Sequence, residues 1–175
     1  LGRNDEMLAE TMRNAKRAGV RMVNVMLGTY AADGHELTDD EIVDCYIRTA
    51  EAGDAVGVAL SFELHVDCWS EKYKRVTPII EAVKARGVPF HLTIDYSHVI
   101  FKMDNSDEQR IFDTDKKIAA GELVLDPFQS NNVIEEWVSA GWVRHCHARA
   151  AVPNNPTNTL AHHVDGSVRR GIQYP

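Results

Sequence analysis

Apolar and polar positions along the 175-residue chain fall into an alternating rhythm of two periods. Residues 21–28 (RMVNVMLG), 57–66 (GVALSFELHV), 88–95 (VPFHLTID) and 142–148 (WVRHCHA) alternate with the two-residue period of a strand. Between them lie stretches with helical grammar. Residues 4–18 start at Asn4 as a cap, carry acids early and bases late, and stop at Gly19. Residues 38–53 open with Thr38 and Glu41 at the spacing of a capping box, with Gly53 as the stop. Residues 70–87 are capped by Ser70 and closed by Gly87, and Pro78 inside them predicts a kink or a late start. Residues 131–141 form a compact helix capped by Asn131 or Asn132.

Residues 101–130 break the rhythm and read as a long loop insertion with one short helix near 113–120. The tail 150–175, rich in Pro and Asn, reads as irregular. The element order is then helix and strand in alternation, which predicts a parallel sheet with crossover helices in a single domain over 1–175.

Sorting each strand by parity adds a second expectation. Val58, Leu60, Phe62 and Leu64 share one face, opposite Ala59, Ser61, Glu63 and His65. Phe90, Leu92 and Ile94 oppose His91, Thr93 and Asp95, while His145, His147 and Arg149 share one parity. In the first strand Val23, Val25 and Leu27 oppose Met22, Asn24 and Met26. A doubly wound sheet is covered by helices on both faces, so its strands read apolar on both. One apolar face and one polar face fit a (β/α)8 TIM barrel better, with helices outside and a site at the C-terminal mouth. A whole barrel takes roughly 250 residues, so four strands amount to about half of one. The chain therefore reads as an incomplete barrel of about four βα units, a piece of a longer protein.

Composition narrows the class. The chain is 44% hydrophobic and 26% charged, with a formal net charge of -7, which disfavours a nucleic-acid backbone as partner. No apolar run reaches the roughly 20 residues of a membrane helix. Cys45, Cys68 and Cys146 are scattered and odd in number, so neither a disulfide framework nor a structural zinc site is expected, and a reducing, cytoplasmic setting follows.

The chemistry concentrates at strand ends. Glu63, Asp95 and His147 each stand near the C-terminal end of a strand on the polar parity. Two carboxylates alone in a low-dielectric mouth repel each other. A neutral imidazole and one divalent cation (Mn, Mg, Co or Zn) resolve this, and the ligand set does not choose between the metals. The bland alternative makes the acids ion-pair partners of Arg or Lys, and His147 a hydrogen-bonded core histidine. His98, three residues past Asp95, leans over the same mouth as a substrate contact or a further ligand; its alternative is a loop or cap histidine.

With those residues in view, FELHVDCWSE, HLTIDYSHVI and VRHCHAR resemble the sugar phosphate isomerase/epimerase group of xylose-isomerase-like TIM barrels. The resemblance implies metal ligands at Glu63, Asp95 and His147, in the order of that family's fifth, sixth and seventh strands. It implies a substrate contact at His98, and a second glutamate on an eighth strand, beyond residue 175. His145 shares the parity of His147, which is chosen because it lies nearer the strand end. The implied activity is isomerisation or epimerisation of a sugar or related hydroxy-keto compound through an enediolate. Glu63 is then the catalytic base as well as a ligand, with Arg149 binding a substrate anion or pairing with a nearby acid, and His65 lining the mouth. Two alternatives remain: a metal-dependent hydrolase like the related barrel endonuclease that cleaves abasic DNA, and a non-catalytic metal-binding barrel. The expected partner is a small sugar-like molecule, without nucleic acid or membrane. Unpaired strands at both edges also point to a homo-oligomer.

Overall fold

The computed structural model describes residues 5–151. The elements run α1 (Asp5–Arg17), β1 (Met22–Val25), α2 (Asp39–Asp54), β2 (Ala59–Leu64), α3 (Val76–Ala85), β3 (Leu92–Asp95), α4 (Ser97–Ile100), α5 (Ser106–Ile111), α6 (Asp115–Ala119), α7 (Glu135–Ser139) and β4 (Val143–His147). The four strands form one parallel sheet in the order β1-β2-β3-β4. Each crossover therefore steps to the next strand in the same direction. The reversal of strand order that marks a doubly wound sheet does not occur among the described residues. The architecture is mixed α/β.

One parity of the strands builds the core. Leu60, Phe62, Leu64, Leu92 and Ile94 pack with Ile42, Val43 and Tyr46 of α2 and with Ile79, Ile80 and Val83 of α3. The Tyr46 ring stacks on Phe90 at 4.1 Å and meets Phe62 edge-on at 4.8 Å. Its hydroxyl donates to the Pro89 carbonyl (3.1 Å) and accepts from the His91 N–H (2.9 Å), so α2 is tied to the entry of β3. Each large side chain buried here contributes about 1.5–3 kcal/mol.

Local rules explain most boundaries. Thr38 caps α2, and the reciprocal bonds with Glu41 complete the capping box. Pro78 acts by delaying α3: two short 3-10 turns (Trp69–Glu71, Tyr73–Arg75) precede it, and the helix begins at Val76. Several expectations need correction. Ser70 does not cap a helix; its hydroxyl donates to the Glu63 carbonyl at 2.8 Å. Gly53 does not stop α2 but lies within it, where only a hydrogen fits against the Val58 carbonyl. The final helix starts at Glu135 with Ile134, which has no capping side chain, at its N-cap, and Asn131 takes a left-handed turn (φ 60°) before it. Within residues 101–130 the short helix expected near 113–120 is α6, but α5 precedes it unannounced, and the segment buries Phe101, Phe112 and Leu125. Asn4 as a cap and all but the start of the 150–175 tail lie outside the described residues. No helix among the described residues is long and apolar enough to cross a membrane.

Candidate metal centre

On β2 and β3 the polar parity of the sheet is as buried as the apolar one. Ser61 and Thr93, paired across β2 and β3, share a hydrogen bond of 2.8 Å and neither is exposed. One step further towards the strand ends stand Glu63, 4% exposed, and Asp95, with no exposed surface. Buried carboxylates require partners. Glu63 accepts from the Asn24 amide at 2.5 Å and from His147 Nδ1 at 3.0 Å. Because a carboxylate only accepts, His147 Nδ1 carries the proton in this arrangement. Asp95 Oδ1 accepts from the backbone N–H and the hydroxyl of Ser97, at 3.1 and 2.6 Å. Its other oxygen, Oδ2, lies 2.9 Å from Arg149 Nη2 in an ion pair that lacks hydrogen-bond alignment.

Strand register brings these groups together. Met22–Val25 pairs with Ala59–Phe62, which sets Asn24 beside Ser61 and within reach of Glu63. A shift between Leu92 and Thr93 then places Asp95 opposite His147. Glu63, Asp95 and His147 converge, each offering a ligand atom within 4.8 Å of the others. His147 Nδ1 stands 3.0 Å from Glu63 Oε1 and 3.9 Å from Asp95 Oδ2. Ligands on one ion with bonds of about 2.1 Å lie at most about 4.2 Å apart. These two of the three spacings satisfy that limit, and binding an ion through Nδ1 would release the proton that now bridges to Glu63.

His98 and His65 flank this triad. His98 is 2% exposed, and its Nε2 lies 3.5 Å from Asp95 Oδ2 without forming an aligned hydrogen bond. Burial drives its pKa down to about 3, and the neighbouring His65 adds to the effect while Asp95 opposes it. The ring is therefore neutral at physiological pH. The His65 ring packs against it with centroids 4.0 Å apart.

All six residues singled out in the sequence thus meet at one end of the sheet. Arg149 pairs with Asp95 there. His145 takes no part in the converging triad, and its ring rests edge-on against His147 at 5.0 Å. Asn24 and Ser97 went unrecognised in the sequence. Asn24 left a signal, a lone amide between Met22 and Met26 on the polar parity of β1. Ser97 left only its place two residues after Asp95. A second buried polar group adjoins the centre: Lys102 Nζ binds Glu71 at 2.5 Å and Glu108 at 2.9 Å, with all three side chains buried. No periodicity marks a buried lysine.

Set against family models, curated proteins and solved structures, the chain matches none.

Proposed function

We propose that the chain belongs to a (β/α) barrel of xylose-isomerase-like type and serves a divalent-metal-dependent isomerase or epimerase of sugar-like hydroxy-keto compounds. The observation that carries this reading is the convergence of Glu63, Asp95 and His147 at neighbouring strand ends, with His98 beside them. The sequential parallel order supports the barrel, since one-way winding is how a barrel sheet grows.

Glu63, Asp95 and His147 would hold the ion. When bound, a divalent ion supplies Lewis acidity to a carbonyl and its neighbouring hydroxyl. Glu63 takes the proton from the carbon between them, with its carboxylate oriented by Asn24, and an enediolate results. His98, held neutral by burial, donates an N–H to the oxygen on which charge develops rather than surrendering a full proton. Asp95, fixed by Ser97 and balanced by Arg149, keeps its charge in place through the cycle. Arg149, 36% exposed along its side chain, is also open enough to meet a substrate anion.

A metal-dependent hydrolase is the second reading, favoured by the two additional imidazoles of His65 and His98 near Glu63. The net charge of -7 argues against DNA as its substrate.

Solvent-deuterium incorporation separates the readings. Ketose and ketose-phosphate panels, incubated with protein and Mn²⁺ in D₂O, are expected to gain deuterium at the carbon next to the carbonyl. Glu63→Gln should abolish the exchange. Hydrolysis of ester or phosphodiester probes without exchange would replace the isomerase reading with the hydrolase one.

A further inference from the structure

We infer that Lys102 is a positioning residue: its ammonium, buried between Glu71 and Glu108, fixes α4 against the turn that follows β2 and so holds the His98 ring in place. This rests on the reading that sets His98 beside the reacting oxygen, and adds to it the group that keeps the ring there.

Three observations carry it. The first is that the His98 ring is not held by its own nitrogens. Neither Nδ1 nor Nε2 has a hydrogen-bond partner among the described residues, and the ring packs against His65 at 4.0 Å and edge-on against Phe101 at 6.0 Å. Its place is therefore inherited from the backbone that carries it. The second is that this backbone is weak by itself. α4 has four residues and no side-chain cap, and so short a helix does not persist without tertiary support. Tyr73 donates to the His98 carbonyl over 3.4 Å, a long bond. The third is what Lys102 reaches. It follows His98 by four residues, and its N–H bonds the Val99 carbonyl at 3.0 Å. Its Nζ lies 2.5 Å from Glu71 Oε1, 2.9 Å from Glu108 Oε2 and 4.2 Å over the Phe112 ring. Glu71 Oε2 accepts the Asp67 N–H at 2.9 Å, and the Asp67 carbonyl accepts the Thr29 N–H at 3.1 Å. One hydrogen-bonded chain thus joins the segments that follow β1, β2 and β3.

Stability alone does not account for this arrangement. Three buried charged groups are costly to desolvate, and a well-packed apolar trio of similar size is commonly as stable or more so. Apolar side chains lack direction, whereas an ammonium between two carboxylates fixes both neighbours at hydrogen-bond distance. Glu71 ends the 3-10 turn Trp69–Glu71, and Glu108 lies in the first turn of α5, so the tie clamps the end of α4 between them. Gln109 of α5 adds bonds to the Lys102 and Met103 carbonyls at 2.7 and 2.8 Å. A catalytic group displaced by about 1 Å can cost about 100-fold in rate, even when the change responsible lies far from the chemistry.

The test reads His98 by NMR in the full chain, labelled at histidine and held at one pH, alongside solvent-deuterium exchange into the ketose panel. Wild type is compared with the charge-free triple variant Lys102→Met, Glu71→Gln, Glu108→Gln and with the charge-conserving Glu71→Asp. Urea unfolding confirms that each is folded, and His35, on the surface, is the internal reference. Wild type is expected to show a nuclear Overhauser contact between the His65 and His98 rings. In the folded triple variant that contact should vanish, the His98 ring resonances should shift while those of His35 stay, and the exchange rate should fall about 10- to 100-fold. Glu71→Asp keeps every charge and shortens the reach by one methylene. It should show the same change to a smaller degree, and it reads the tie even where the triple variant does not fold. An unchanged ring contact and unchanged His98 resonances in the folded variants would overturn the proposal and leave Lys102 a structural ion pair. Loss of the contact in the variants, with no exchange even in wild type, would leave the positioning role standing and overturn the isomerase reading instead.

Discussion

Arg149 Nη2 lies 2.9 Å from Asp95 Oδ2, so the one buried carboxylate oxygen left over by Ser97 faces a guanidinium. A divalent cation held by Glu63, Asp95 and His147 would answer the same negative charge. Replacing Arg149 by Gln is expected to destabilise the metal-free protein by about 1–3 kcal/mol, because the carboxylate keeps its burial and loses its counter-charge. The same change should tighten divalent-metal binding by about tenfold, equivalent to about 1.4 kcal/mol. Thermal melts and Zn²⁺ titration calorimetry check both halves. Weaker metal binding in the variant would show that Arg149 supports the ion rather than competing with it.

Asn24 holds the Glu63 carboxylate from a strand on which no charged residue stands. Asn24→Ala removes a bond to a charged acceptor and should lower stability by about 1.5–3 kcal/mol. Metal affinity is expected to fall 10- to 100-fold, the usual effect of losing a group that orients a ligand. Stability without metal, read from denaturant unfolding, and affinity, read from competition with a chelator dye, report the two effects separately.

Gly53→Ala tests the close approach of α2 to β2. In an ordinary helix interior this replacement gains up to about 1 kcal/mol. Here the added Cβ would lie 2.3 Å from the Val58 carbonyl oxygen, which is backbone and cannot swing away. A loss of about 1–3 kcal/mol is expected instead, from the strain of overpacking. A variant that melts higher than wild type would refute the contact.

Lys102 is 1% exposed and bound to two carboxylates that are themselves buried. Lys102→Met removes the ammonium that binds Glu71 and Glu108, and a loss of about 3–5 kcal/mol is expected. The triple variant Lys102→Met, Glu71→Gln, Glu108→Gln should recover a large part of that loss, since no buried charge is left behind. Urea unfolding of the two variants makes the comparison.

His35 carries a pH dependence on the surface. Its pKa is raised by hydrogen bonds to Glu41 first and Asp33 second. The imidazolium is thus favoured in the folded chain. The stabilisation is fully present below the unfolded value of about 6.5 and is lost as pH rises through the higher folded value. Melting temperatures across that window should fall for wild type relative to His35→Gln. Parallel curves would show that the contact carries no net stability.

What could be read from the chain was local. Helix and strand periods are set within a few residues, so the order of elements, the Thr38–Glu41 cap and the polar parity of Glu63, Asp95 and His147 were all legible. The places where reading failed share one cause. Ser70 looks like a helix cap in sequence but bonds the Glu63 carbonyl; Gly53 looks like a helix stop but is a packing requirement. Lys102 looks like a solvated loop lysine but is buried between two acids. Each depends on what another segment brings to it.

Parity alone assigns a residue to a face, because Cβ atoms alternate along any strand. That determined which side of the sheet would carry ionisable groups, and at which end. Register was decided only in three dimensions. Leu92 pairs with Val143, and an unbroken ladder from that pair would set Asp95 against Cys146; the shift after Leu92 sets it against His147 instead. One residue of slip separates a thiol from an imidazole at the centre, and cross-strand packing, not any local preference, chooses between them.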